Sequence, residues 1–132
     1  MYTRYHVKNI DSIVYAKKIV HIGGSNVTLD VADTDKLRER GLSYRKMIDQ
    51  NTGMLFVFER SGIYKFWMKD MNIPIDIVWL DSNKKIVHIE HSLSPDTYPQ
   101  AFGPDINTQW VIELPAGAVK QEDVSVGDIL SF

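Results

Sequence analysis

The sequence predicts a mainly β fold of the α+β class: a curled antiparallel sheet, barrel-like or sandwich-like, with one or two short helices. Three observations support this prediction. About seven or eight short apolar runs have strand character, most neighbouring runs are joined by hairpin-like turns, and only two segments are candidates for helices. The chain has 132 residues, of which 44% are hydrophobic and 24% charged, and it contains no repeat or linker. We therefore expect a single domain over residues 1–132.

The first 26 residues are expected to be an N-terminal extension or edge strands. Residues 13–15 (IVY) have the composition of a short edge strand. Residues 17–22 (KKIVHI) and 27–31 (VTLDV) then flank a Gly-Gly-Ser-Asn segment at 23–26. Glycine and asparagine tolerate positive φ, so this segment predicts a hairpin, and the alternation in its second arm predicts one buried and one exposed face.

Residues 32–42 (ADTDKLRERGL) predict a helix of about two turns with recognisable ends. Thr34 can cap the first amides, Asp35 suits the positive end of the helix dipole, and Gly41 can adopt the left-handed closing conformation. Such a short helix is unstable alone, so Leu37 must dock it on the sheet.

Four further apolar runs predict the central strands. Residues 53–58 (GMLFVF) are apolar on both faces, as in a strand that is covered on both sides. Residues 63–69 (IYKFWMK) alternate in polarity. Residues 75–80 (IDIVWL) and 85–91 (KIVHIEH) are joined by a polar turn at 81–84 and predict a hairpin.

The last part of the chain alternates between loop and strand signals. Residues 92–108 contain three prolines and predict a long loop, of the kind that is often functional. Residues 108–114 (TQWVIEL) predict a strand, residues 116–123 (AGAVKQED) a short helix, and residues 129–132 (ILSF) a closing strand.

Composition argues against several classes of function. The net charge is −2, with 15 basic and 17 acidic residues, so we expect no nucleic-acid partner. No apolar run approaches the ~20 residues of a membrane span. Without cysteine there is no disulfide, thiolate zinc site or cysteine nucleophile. His88 and His91 would point to opposite strand faces, so we expect no metal and no cofactor. A monomer is expected. The compartment stays open: exported, periplasmic or cell-surface if a leader was removed, cytoplasmic otherwise.

Asp76 is the most informative residue, because it lies between two isoleucines and shares its strand face with Val78. A buried carboxylate costs several kcal/mol unless it is paired or hydrogen-bonded. We therefore expect a partner, which would be the amides of a turn or a cation, with Arg45 and Lys69 as candidates. Two interpretations stay open: an acid that caps the turn at 72–74 and pins the strand, or a base or ligand anchor with a raised pKa.

Trp67 and Lys69 should share a strand face opposite Phe66 and Met68. If Phe66 and Met68 enter the core, an indole and an ammonium group line the other face, which suits an anionic or aromatic ligand. The alternative is an amphipathic strand whose tryptophan packs under a loop. Glu113 is a second acid with apolar neighbours, and together with Asp76 it could form an acid/base pair.

Several blocks resemble one family in order and spacing. They are residues 41–46 (GLSYRK), 53–58, 66–81 (FWMKDMNIPIDIVWLD), 110–117 (WVIELPAG) and a late VGD. The chain resembles the domain of unknown function 192 (DUF192) family, also called uncharacterised protein family 0127 (UPF0127), over about residues 27–132. The matching positions are Gly41, Leu42, Arg45, Gly53, Met54, Leu55, Phe56, 66–69, 73–77, Glu113, Ala116 and Gly117.

The resemblance implies a compact, mostly β domain with a short helix, a prokaryotic or archaeal origin, and often an exported or membrane-tethered context. It implies no activity, because none is recorded in the family's name. The chain departs from the pattern at Ser43, where the family often has methionine, and at Asp70 and Met71, where it often has Asn-Thr.

Two hypotheses of function follow. The first, which we favour because no nucleophile or metal constellation is visible, is a non-enzymatic binding module. Arg45, Trp67, Lys69 and Asp76 would line a groove for a small polar ligand or a peptide, roofed by the 92–108 loop. The second is a hydrolase-like or lyase-like enzyme that uses Asp76 and Glu113, with Lys69 or Arg45 stabilising negative charge. The second hypothesis requires both carboxyl groups to face one cleft.

Overall fold

A mixed β-sheet organises the chain in the computed structural model, which describes residues 13–132. The strands are, in chain order, β1 (Lys17–Ile22), β2 (Ser25–Ala32), β3 (Thr52–Gly62), β4 (Phe66–Trp67), β5 (Ile75–Leu80), β6 (Ile86–Leu93), β7 (Ala101–Phe102) and β8 (Thr108–Pro115). Two short α-helices accompany them, α1 (Asp35–Arg40) and α2 (Ala118–Gln121), with a 3-10 turn at Pro95–Thr97. The predicted mainly β class with two short helices is confirmed.

The main sheet has the strand order β1-β2-β3-β8-β5-β6, and β4 pairs separately with β7. Every neighbouring pair is antiparallel except β2 and β3, which are parallel. A parallel pair needs a crossover connection, and the segment that carries α1 supplies it. The predicted mainly antiparallel sheet is therefore confirmed, with one parallel pair that the hairpin signals did not indicate.

The sheet does not close into a barrel, since its two edges, β1 and β6, lie at opposite ends of the strand order. The C-terminal segment approaches both edges through isolated bridges, His21 to Ser131 and Lys85 to Ile129. The closing strand predicted at 129–132 is thus reduced to single bridges. The edge strand predicted at 13–15 does not form, and the remainder of the predicted N-terminal extension, residues 1–12, lies outside the described residues.

The predicted N-cap of α1 is present, because the Thr34 Oγ1 accepts a hydrogen bond from the Leu37 amide at 3.2 Å. Gly41 ends the helix and donates its amide to the Leu37 carbonyl, but its φ of 53° is combined with a ψ of −135°, so it does not adopt the predicted left-handed helical conformation. At the β1–β2 hairpin, Gly23 has φ 59°, and a Cβ there would lie 2.3 Å from the Glu122 carbonyl oxygen. The close contact of this turn with the end of α2 therefore requires glycine.

The two faces of the sheet carry separate cores, and strand alternation decides which residue enters which core. One core, the α2-side cluster, includes Leu29, Leu55, Val78, Leu80, Ile112, Leu114 and Val119. The other, the α1-side cluster, includes Leu42, Met54, Phe56, Phe66, Met68, Ile75, Ile77, Trp79 and Val111. Each large apolar side chain buried in this way contributes roughly 1.5–3 kcal/mol. Residues 75–80 are all buried, as expected for a strand covered on both sides.

The strand predicted at 63–69 is shorter than expected. Only Phe66–Trp67 pair, because their partner β7 is itself two residues long. The predicted alternation persists, with Phe66 and Met68 buried and Trp67 and Lys69 partly exposed. No helix within residues 13–132 is long and apolar enough to cross a membrane.

Candidate functional site

Asp76 lies on β5 with its side chain fully buried. Its Oδ1 accepts a hydrogen bond from the Ser92 amide at 2.7 Å, and its Oδ2 accepts one from the Val119 amide at 2.9 Å. The expected partners of this carboxylate are therefore backbone amides, and the two candidate cations, Arg45 and Lys69, bind elsewhere. Hydrogen bonds from amides stabilise a buried carboxylate in its charged form.

The Ser92 amide is available because of a bulge in β6. The register between β5 and β6 changes from Ile75 opposite Leu93 to Ile77 opposite Glu90, so β6 has one extra residue beside Asp76. Ser92 has φ 47°, as residues in bulges can have. The extra residue cannot donate its amide to the ladder, and the Asp76 carboxylate accepts it instead.

The Val119 amide is available because α2 has no capping side chain. Its N-cap residue is Gly117, so the first-turn amides need an acceptor from elsewhere in the fold. Asp76 provides that acceptor from β5. The interpretation that Asp76 caps the turn at 72–74 is thus corrected: it pins the β6 bulge and the start of α2.

Glu113 is also fully buried, but it points to the other face of the sheet. Asp76 is opposite Leu114 on β8, whereas Glu113 is opposite Ile77. Directly opposed residues of an antiparallel pair share a face, so Asp76 lies with the α2-side cluster and Glu113 with the α1-side cluster. The two carboxylates do not meet, and the acid/base pair that the sequence suggested does not form.

Arg45 belongs to a different part of the surface. Its guanidinium binds Asp30 Oδ2 at 3.0 Å, and the Lys17 ammonium binds Asp30 Oδ1. It also lies 5.4 Å from the centre of the Tyr15 ring. Arg45, Asp30 and Lys17 line a depression of about 290 Å³, the Arg45 cleft, together with Thr28, Met47, Ile48, Asp49, Thr52 and Gly53.

Trp67 and Lys69 lie together, as alternation predicted. The Lys69 Nζ is 5.8 Å from the Trp67 ring centroid. Tyr98, from the long loop, packs on the same indole with centroids 5.1 Å apart at a tilt of 54°. The tryptophan therefore packs under the segment between β6 and β8, which the sequence predicted as a loop and which contains the 3-10 turn and β7. The proposed four-residue groove is divided among three places: this face, the Arg45 cleft and the interior at Asp76.

The structure also contains a cavity of about 260 Å³ that sequence analysis missed, which we call the end cavity. It lies where the β1–β2 hairpin, the turn before β3, the end of β8 and α2 meet. Its lining residues are Ile22, Val27, Ile48, Gln50, Asn51, Thr52, Leu114, Pro115, Ala116, Ala118, Gln121 and Glu122. The only local signal for it is the polar 49–52 segment, where Asn51 has φ 60°, and this signal indicates merely a turn.

Ile48 is the point where three depressions meet. It lines the end cavity, the Arg45 cleft and a shallow third depression that also includes Lys46, Met47, Ile73, Pro74, Pro115 and Ala116. Met47 is 70% exposed beside it. This end of the sheet therefore presents apolar surface with both cations and polar groups at its rim.

Within residues 13–132, no group of three or more histidine, aspartate or glutamate side chains is arranged to hold a metal ion. Among the described residues away from the cavities, Tyr44 and Asp105 have shifted pKa values. Burial, and then a hydrogen bond to Asp70, raises the pKa of Tyr44. The Lys65 ammonium lowers the pKa of Asp105, which is exposed, by hydrogen bonding and by charge.

The family model for DUF192, described as uncharacterized ACR, matches residues 18–132. The match begins at the second residue of β1, so β1 and the hairpin turn, which were expected to lie outside the family-like core at 27–132, lie almost entirely within it. A UPF0127 protein of Thermococcus kodakarensis is 30% identical over 107 residues, which is 77% of this chain and 62% of that protein. One of Thermococcus gammatolerans is 29% identical over 109 residues, which is 79% and 65% of the two chains. The chain thus spans less than two thirds of the length of these relatives.

Two solved structures are similar. A Sinorhizobium meliloti protein, whose name suggests a transcription regulator, has a TM-score of 0.85 at 30% identity, covering 91% of this chain and 96% of that one. A Novosphingobium aromaticivorans protein of unknown function has a TM-score of 0.80 at 19% identity, covering 96% and 91%. The second likeness shows the fold alone.

Proposed function

We propose that this chain, which belongs to the DUF192 family, binds a small ligand in the end cavity and does not catalyse a reaction. The observation that carries this proposal is the cavity itself. Its floor is apolar and buried, with Ile22, Val27 and Leu114 each at most 3% exposed. Its rim carries amide and hydroxyl groups from Gln50, Asn51, Thr52 and Gln121. An apolar floor with a few polar groups is the usual make-up of a small-molecule site.

The position of the cavity supports the proposal further. Ala116 and, in the adjoining depressions, Arg45, Gly53 and Pro74 belong to the blocks that resemble the family, and all four are found at this end of the sheet. Small-molecule sites in proteins are commonly about 300–1,000 Å³. At about 260 Å³ the end cavity lies just below this range, so it has room for a small molecule and not for a folded partner or a long peptide.

The geometry gives the enzymatic alternative no support. Asp76 is held by two amides in the interior, and Glu113 points to the opposite face. Neither carboxylate lines the end cavity, so an acid/base reaction would need other groups. The Trp67–Lys69 face remains a competing location for a ligand, because Tyr98 is 45% exposed there.

A thermal-shift screen of small molecules against the intact chain tests the proposal, because a ligand that binds the native state raises the unfolding midpoint further as its concentration increases. Ala116→Trp would fill the cavity mouth with an indole at an exposed position. Ala101→Trp is the matched control: it makes the same change at an exposed alanine on β7, beside Trp67. We expect hits that Ala116→Trp abolishes and Ala101→Trp retains.

Two results would contradict this assignment. Hits that are lost in Ala101→Trp and kept in Ala116→Trp would place binding on the Trp67–Lys69 face. A screen without any concentration-dependent shift would remove the support for a small-ligand function.

A further inference from the structure

We infer that the end cavity selects organic amines: small molecules with an apolar body and a cationic nitrogen, in preference to carboxylates of the same shape. This inference rests on the proposed function and names its ligand class. Glu122 is the single ionisable side chain among the twelve that line the cavity. The charge that a ligand meets there is therefore negative, and it is not balanced by a lysine or arginine of the lining.

Among the described residues, the partners of the Glu122 carboxylate are uncharged. Its Oε1 accepts a hydrogen bond from the Ser25 hydroxyl at 2.8 Å, and its Oε2 accepts one from the Gly24 amide at 3.3 Å. No ion pair involves Glu122 within residues 13–132. Neutral donors orient a carboxylate without cancelling its charge, so it attracts a cation and repels an anion.

The fold also fixes this carboxylate in place. The hairpin turn at Gly23 packs against the Glu122 backbone so closely that an added Cβ would lie 2.3 Å from its carbonyl oxygen. The other end of α2 is held by Asp76 through the Val119 amide. A group oriented before the ligand arrives loses little conformational entropy on binding, which is the basis of preorganisation.

The opposite rim is polar but uncharged. Gln50, Asn51 and Thr52 form it, and the backbone there is anchored, because the Thr28 amide donates to the Asn51 carbonyl at 3.0 Å. These groups can accept hydrogen bonds from an ammonium group and donate to an amide. An uncharged amide ligand should therefore bind with intermediate affinity, between the amine and the carboxylate.

The neighbouring Arg45 cleft shows the contrast. It is lined by two cations, Lys17 and Arg45, and two carboxylates, Asp30 and Asp49. These charges balance, and both cations already bind Asp30, whereas the end cavity has one carboxylate and no cation in its lining. The two depressions share Ile48 and Thr52 but differ in their charge balance.

Three matched probes test the inference: 3-phenylpropylamine, 3-phenylpropanamide and 3-phenylpropanoate, which share a phenyl body and differ in the charge of the end group. Titrations of the intact chain at pH 7, followed by calorimetry and by amide chemical shifts, give the three dissociation constants. We expect the amine to bind at least about tenfold more tightly than the carboxylate, with the amide between them. Ala116→Trp should weaken amine binding.

Glu122→Gln removes the charge and keeps an acceptor, so the preference for amine over carboxylate should fall to about threefold or less. Glu59→Gln is the matched control, because it makes the same charge change at an exposed position of β3 outside the cavity lining, and it should leave the preference intact. If Glu122→Gln folds poorly, salt provides a second test on the unaltered chain. The amine preference should shrink between about 20 mM and 500 mM salt, since the attraction is screened.

The outcomes separate this inference from the proposed function. Equal or tighter binding of the carboxylate, or an amine preference that Glu122→Gln and salt leave unchanged, would overturn the inference. If the probes fail while other library compounds bind and are lost in Ala116→Trp, the inference fails and the binding function stands. If no compound of any class binds in the end cavity, both fail.

Discussion

Asp76 and Asp30 are both buried carboxylates of the sheet, and they are held by different kinds of partner. Asp76 is fully buried and accepts two backbone amides, from Ser92 and Val119. Asp30 is 8% exposed and binds the ammonium of Lys17 and the guanidinium of Arg45. The first carboxylate connects two irregular stretches of backbone, whereas the second connects two flexible side chains at the surface.

This difference distinguishes a carboxylate whose partners are fixed backbone amides from one whose partners are side chains that other groups can replace. The amides of Ser92 and Val119 cannot turn away from Asp76 without disrupting the bulge and the start of α2. The side chains of Lys17 and Arg45 are 60% and 23% exposed, so solvent or an anionic ligand can compete for them. Asp76, which is the more conspicuous of the two acids in the sequence, therefore has a structural role.

The largest expected effect is that of Asp76→Ala. Leaving a buried donor without an acceptor costs about 1–3 kcal/mol, so two such amides correspond to a loss of about 2–6 kcal/mol in the free energy of unfolding. Urea denaturation measures this loss. Asp33→Ala, at an exposed aspartate, is the control and should change stability by less than about 0.5 kcal/mol.

Asp76→Asn sharpens the same test. Asparagine retains one acceptor oxygen but places an amino group against the second amide, so the loss should be smaller than for alanine. Hydrogen exchange should be faster specifically at Ser92 and Val119. If Asp76→Ala were as stable as the Asp33→Ala control, the structural role of this carboxylate would be wrong.

The sequence indicates that Asp76 needs a partner, because an ionised acid among aliphatic residues is costly. It does not identify the partner, because the two amides lie 16 and 43 residues away in the chain. One of them depends on a one-residue bulge in β6 and the other on where α2 docks. Both are consequences of tertiary packing that local periodicity does not encode.

The same distinction between local periodicity and tertiary packing explains which other predictions from the sequence were right and which were wrong. Alternation within 75–80 correctly places Ile77 and Val78 in different cores, because the strand period is a local property. The parallel pairing of β2 with β3 and the end cavity depend on which distant segments come together. Neither the segment of Ile48 nor the short helix predicted at 116–123, which contains Glu122, indicates a cavity from its local pattern, and only the folded chain brings the two residues together.

A moderate effect on stability is expected when the two cations that bind Asp30 are replaced. A partly exposed ion pair contributes about 0–1 kcal/mol, so Lys17→Met and Arg45→Met should each cost less than about 1 kcal/mol. The double variant removes both countercharges from a carboxylate that is 8% exposed. We therefore expect its loss to exceed the sum of the single losses by about 1 kcal/mol.

Urea denaturation of the four proteins completes this double-mutant cycle. High salt should reduce the single-variant losses, because screening weakens pairs that solvent reaches. Strict additivity would show that the two cations act on Asp30 independently. Losses near zero in all three variants would show that Asp30 depends on neither cation, and would remove the contrast with Asp76.

The smallest effect is expected at Asp105, which extends the comparison to a carboxylate that is exposed. Its Oδ1 lies 2.7 Å from the Lys65 Nζ, and its side chain is 94% exposed.

Lys65 lowers the pKa of Asp105 below the ordinary value of 3.8, so the folded chain binds this proton less readily than the unfolded chain. The contribution to stability is then present above pH about 3.8 and is lost as the pH falls through the lowered pKa. Asp105→Asn should have a slightly lower unfolding midpoint than the unaltered chain at pH 7, and the difference should shrink as the pH falls below the ordinary pKa of 3.8. The midpoints of both proteins, measured in parallel by calorimetry from pH 2.5 to pH 7, decide the matter. A difference that stays constant over this range would mean that the Lys65 pair does not stabilise the fold through charge.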